Sequence, residues 1–97
     1  MSGQPQNLGP LESEPGQLRP PFDRPWTPFE QHRGESADSW RKRSHTDSVN
    51  ALLEPLDGIE LGAYDRQIIE WLATWESSTV ATIASWIYRA RAAGGER

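Results

Sequence analysis

With 97 residues, a mean hydropathy of -0.75 and 35% hydrophobic residues, the chain holds at most one domain and too little apolar material to fold along its whole length. A formal net charge of -4 argues against a general nucleic-acid-coating role, which needs clustered cations to release phosphate counterions. The absence of cysteine excludes disulfides, thiolate metal sites and a cysteine nucleophile, and suits a reducing cytoplasm.

Of the eight prolines, only Pro55 lies beyond residue 28. The others, at 5, 10, 15, 20, 21, 25 and 28, remove amide donors and bias their predecessors away from helix. Residues 1–47 therefore read as a disordered tail of proline, glycine and polar residues. The start of the chain has neither the basic nor the apolar region of a secretory signal. Within the tail, Pro20–Phe29 sets three aromatics among four prolines, a composition that suits docking into a partner's groove. The plainer alternatives are a sticky disordered segment or a strap laid over the domain's own apolar surface. Trp40-Arg41-Lys42-Arg43 has the chemistry to touch phosphates or stack on bases, but Glu35, Asp38 and Asp47 surround it, and a solvated linker is the simpler reading.

Ordered structure is expected over residues 48–93. A short helix capped by Asp47 or Ser48 should stop at Glu54, before Pro55, with Val49, Leu52, Leu53 and Leu56 at helical spacing. A turn follows around Gly58. A second helix should begin near Gly62, with Asp65 in its first turn, where a carboxylate suits the positive end of the dipole. Its stripe, Leu61, Tyr64, Ile68, Trp71, Leu72 and Trp75, spans an arc of roughly 100° and is expected to be buried. On that basis Trp75→Ala should cost roughly 3–5 kcal/mol. Glu76, Ser77 and Ser78 form the next turn. A third helix should run from about Thr79 to Ala93 and stop at Gly94-Gly95, leaving 94–97 as a disordered end. Its stripe is Val80, Ile83, Ala84 and Ile87, with Thr82, Ser85 and Arg89 opposite.

The fold class is thus all-α: a short helix plus a helical hairpin, as a three-helix or helix-turn-helix-like module behind a proline-rich tail. Between Val49 and Tyr88 there are more large apolar residues than a two-helix hairpin can bury. The short helix at 48–54 completing a three-helix core, the aromatic tail segment, self-association or a partner must cover the surplus. Ile69, Trp86 and Tyr88 fall off the stripes and are the candidate interaction surface.

Several activities lack their chemistry. His32 and His45, the only histidines, have no spacing that converges metal ligands, and Ser44-His45-Thr46-Asp47 carries the letters of a hydrolytic triad without its geometry. No catalytic residue, cofactor or small-molecule substrate is expected. The apolar-leaning run Val80–Tyr88 is far short of the roughly 20 residues that cross a bilayer, so no membrane role is expected either. Helix, turn and helix also outline a DNA reader with Thr79, Thr82, Ser85 and Arg89 as candidate contacts, in an acid-free stretch from Ser77 to Gly95. Against DNA stands the net acidic module, with few flanking cations.

Residues 61–94 carry Tyr64-Asp65-Arg66, Trp71-Leu72-Ala73, Trp75, Ser78-Thr79-Val80-Ala81 and Arg89-Ala90-Arg91. This third of the chain resembles a group of small uncharacterised proteins encoded by actinobacteria and their prophages or mobile elements. The resemblance implies a genomic context and assigns no catalytic or binding residue. The arginine bias, with Lys42 the only lysine, agrees with a GC-rich genome. The leading expectation is a non-enzymatic cytoplasmic module that engages a protein partner or itself. The second is a small DNA-binding regulator.

Overall fold

The computed structural model describes residues 8–94. Among them are three α-helices, one 3-10 turn and no strand: α1 (Ala37–Leu53), the turn Glu54–Leu56, α2 (Ala63–Leu72) and α3 (Ser77–Gly94). The part of the expected tail that falls on residues 1–7, and of the expected C-terminal end on 95–97, lies outside the described residues.

The first helix is much longer than its apolar pattern predicts. It begins at Ala37 rather than at Asp47 or Ser48. Ser36 supplies the N-cap, its Oγ accepting from the Ser39 amide at 3.1 Å, and Asp38 pairs with Arg41 one turn on at 2.9 Å. The Trp40-Arg41-Lys42-Arg43 cluster is therefore helical, not linker. Its apolar period is absent because this half of α1 is held by polar contacts instead. Trp40 Nε1 donates to the Phe29 carbonyl at 3.0 Å. Arg43 donates to Glu35 Oε1 at 2.8 Å and to the Glu30 carbonyl, and stacks over the Phe29 ring at 4.7 Å. Pro55, which has no amide to donate, then tightens the helix end into the 3-10 turn. Gly58, at φ +87°, reverses the chain there.

Residues 8–36 carry no helix or strand, as their prolines predict, and lie over α1 and α3 as a strap. Phe22 is fully buried, and its ring meets Tyr88 edge-on at 5.9 Å. A tight loop presents it: the Gly16 amide donates to the Phe22 carbonyl at 2.9 Å. A Cβ at Gly16 would stand 2.1 Å from the Arg24 carbonyl oxygen, so the returning backbone leaves room only for glycine. Arg19 ties the loop to α1, reaching Asp47 at 3.0 Å and Glu54 at 2.9 Å.

α1 lies centrally, packed on α3, the 3-10 turn and α2, and α3 packs on the 3-10 turn as well. The buried core comprises Phe22, Ala51, Leu52, Ile69, Ala73, Val80, Ala81 and Ala84, an alternation of small and large side chains that lets the elements interdigitate. The expected α3 stripe holds, with Val80 and Ala84 buried and Ile83 and Ile87 partly so. Its expected outer face does not: Ser85 is fully buried, because α3 has neighbours on more than one side. At its far end Arg91 donates to the carbonyls of Pro55 and Asp57, at 3.0 and 2.6 Å.

The expected stripe of α2 holds at Leu61 and Leu72, which pack against the core, and is overturned at its aromatics. Tyr64 is 70% exposed, Trp71 54% and Trp75 51%, whereas Ile69 and Ala73 enter the core and Leu72 packs against it. At 100° per residue, the apolar residues 64, 68, 69, 71, 72 and 73 sweep an arc of roughly 200°, about twice what one neighbouring helix covers. α1 takes the Ile69–Ala73 side. The aromatic side is left facing out.

Candidate functional site

The aromatic side of α2 is built from the helix and the turn that follows it. Asp65 Oδ2 accepts from the Gly62 amide at 2.8 Å and fixes the start of the helix. After Leu72 the chain tightens: the Thr74 hydroxyl and amide both donate to the Trp71 carbonyl, at 2.6 and 3.0 Å, and the Trp75 amide donates to Leu72. This turn folds Trp75 back against Trp71. Their rings meet edge-to-face, 5.6 Å between centroids and 83° between planes, a favoured aromatic geometry. Tyr64, two turns earlier, shares the face, and Ile68 sits half-buried between them. Polar side chains edge it: Glu60 lies before the helix, Gln67 along it and Glu76 directly after Trp75, all exposed, while Glu70 lies about 100° round the helix from Trp71, toward Arg66.

The residues singled out from the sequence are scattered by comparison. Ile69 is in the core and unavailable to a partner. Tyr88 is half-buried against Phe22, and burial, with the charge of Glu54 adding to it, pushes its phenol above the ordinary range. Trp86 alone of the three is exposed, at 58%, on the rim of a shallow apolar depression of about 490 Å³ between Leu11–Pro15 and α3. The candidate DNA contacts form no exposed face. Ser85 is buried, Thr79 is half-buried, and the Thr82 hydroxyl donates back to the Ser78 carbonyl at 2.8 Å. Arg89 is half-buried, with Nε buried and unpartnered beside the equally unpartnered Ser85 Oγ one turn away.

A larger half-open cleft, about 1230 Å³, separates the strap from α1 and the α2–α3 turn. Trp26, Trp40 and Phe29 line it together with charged groups engaged in holding the strap, notably Arg19 and Asp47. No cluster of three or more His, Asp or Glu side chains suited to a metal ion exists among the described residues. Ser44, His45, Thr46 and Asp47 are successive residues of α1, so their side chains fan out at about 100° intervals and cannot converge as a triad. Asp47 is moreover committed to Arg19. No helix among the described residues is long and apolar enough to cross a membrane.

The face missed by stripe-counting had a signal in the sequence all the same. The apolar arc of α2 is too wide for one partner, and the excess falls on its aromatics. No family model, curated protein or solved structure matches the chain, so the reading of the surface rests on its own geometry.

Proposed function

We propose that the chain is a small non-enzymatic helical interaction module whose working surface is the aromatic face of α2, with a protein as its partner. One observation carries this reading. Trp71 and Trp75, paired edge-to-face, stand about half in solvent together with a largely exposed Tyr64, on the most strongly amphipathic helix of the fold. Large aromatics gathered on one exposed face are the composition of interaction hot spots, where they anchor in a partner's surface. Trp86 is a separate, smaller exposure on α3. The likeness of residues 61–94 to actinobacterial and prophage-encoded proteins supports a genomic setting in a chromosome of that kind or a mobile element within it, whose neighbouring genes supply the first partners to test.

Site-specific photo-crosslinking in the host cell tests the proposal. A photoreactive residue placed at Trp71 or Trp75 should yield one discrete protein adduct that the same residue at Arg66, on the opposite side of α2, does not. Identical adducts from all three positions, none from any, or an adduct to DNA would overturn it.

A further inference from the structure

We infer that the partner of this face is a cationic amphipathic helix of another protein, an inference that rests on the interaction reading above and adds the chemistry of its ligand. Three observations converge on it. The first is spacing. Tyr64, Ile68, Trp71 and Trp75 follow one another at intervals of four, three and four residues, the alternation by which one helix presents a seam to another. α2 carries the first three of these, and the turn after Leu72 seats Trp75 on Trp71, which continues the seam.

The second is charge. From Glu60 to Glu76 the chain carries Glu60, Asp65, Glu70 and Glu76 against the single cation Arg66, all exposed, with Glu60 before the face and Glu76 directly after Trp75; Asp57 lies beside Arg91 and is not part of this balance. An aromatic face in so acidic a stretch repels an acidic partner and a copy of itself laid against it, while it attracts one edged by arginine or lysine. Its rings would also take those cations directly. The fold already uses that contact, with Arg43 seated over Phe29 at 4.7 Å.

The third is size. Three aromatics with roughly half of their 150–250 Å² exposed offer on the order of 300 Å², whereas a standard interface buries about 800 Å² per partner. A face of this extent suits a single helical segment and is too small to hold a permanent dimer.

The experiment uses the full chain labelled with nitrogen-15 and two synthetic helical peptides. Both carry the same leucine seam, one edged by arginine and the other by glutamate. The Trp71 and Trp75 indole N–H resonances, assigned through Trp71→Phe and Trp75→Phe, report binding at the face. The arginine peptide should shift both indoles and leave the Trp40 indole, bonded to Phe29, in place. Its Kd should rise several-fold between about 50 and 500 mM salt, as screening shortens the reach of the acidic side chains. Glu76→Gln, an exposed change directly after Trp75 that leaves the core untouched, should weaken the arginine peptide and strengthen the glutamate one by several-fold each. Equal binding of the two peptides would overturn the cationic partner and leave the interaction face standing. Failure of both, with sedimentation showing a concentration-dependent dimer that perturbs Trp71 and Trp75, would replace the foreign helix with a second copy. Failure of both in a chain that stays monomeric would overturn the inference, and discrete crosslinks at Trp71 and Trp75 would then keep the interaction face while their absence would remove it as well.

Discussion

Phe22 and Trp75 stand in opposite places from those their surroundings suggest. Phe22 lies in a proline-rich stretch with no regular structure, yet no part of it reaches solvent. Trp75 closes the most regular apolar stripe in the chain, yet half of it is exposed. The difference teaches that periodicity identifies which side of an element is apolar, whereas burial depends on how many neighbours the element has. The strap has two, α1 and α3, and a single large side chain fills the space between them. α2 has one close neighbour, α1, and an apolar arc too wide for it.

The sharpest way to break the comparison is to truncate each residue in turn. Phe22→Ala should cost about 3–5 kcal/mol in urea unfolding, the range for emptying a buried aromatic site. A loss under 1 kcal/mol would mean that the strap does not belong to the core. Next comes the loop that presents Phe22. Gly16→Ala sets a methyl against the Arg24 carbonyl, which cannot yield without moving the strap, and should cost about 1–3 kcal/mol with a shift in the environment of Tyr88.

Trp75→Ala should cost only about 1–2 kcal/mol, because half of the ring is in water before and after. A loss comparable to that of Phe22→Ala would return Trp75 to the core and remove the proposed face. The smallest effect concerns the latch at the far end of the strap. The Arg43 guanidinium, with the His32 amide assisting, holds the Glu35 carboxyl down to about 2. A carboxyl lowered in the fold stabilises it above the ordinary value of about 4.3, and that contribution fades as pH falls toward 2. Glu35→Gln should therefore melt slightly below the parent chain at pH 7, and the two melting curves should converge near pH 2. A gap that persists at pH 2 would show that the ion pair is not its source.

Local signals located much of this fold. Pro55, Gly58, Asp65 and the serines at 77 and 78 mark where helices end and begin, since each acts on its own backbone within a turn. They placed the start of α2 within one residue and both ends of α3 within two, whereas α2 stops at Leu72, three residues short of the expected Trp75, and Ser77 and Ser78 already belong to α3. α1 escaped them over its first ten residues because Arg43 and Trp40 are held by Glu35, Glu30 and Phe29, contacts that a periodic pattern does not record. The proposed face was not legible in the helical spacing: Tyr64, Trp71 and Trp75 read there as core, while of the three residues expected outside, Trp86 is exposed but stands apart on α3, and Ile69 and Tyr88 were taken by the core.

What the sequence by itself determined is therefore the set of elements and the excess of apolar surface over what they can bury: proline density, capping residues and helical spacing act locally and need no neighbour. Which side chains make up the excess was decided only by the tertiary structure. Once Phe22 fills the space beside Tyr88, and Ile69 and Ala73 commit α2 to α1, the remaining arc of that helix has nothing left to pack on. Tyr64, Trp71 and Trp75 stay outside for want of a fourth element, with Glu60 before them and Glu76 directly after Trp75.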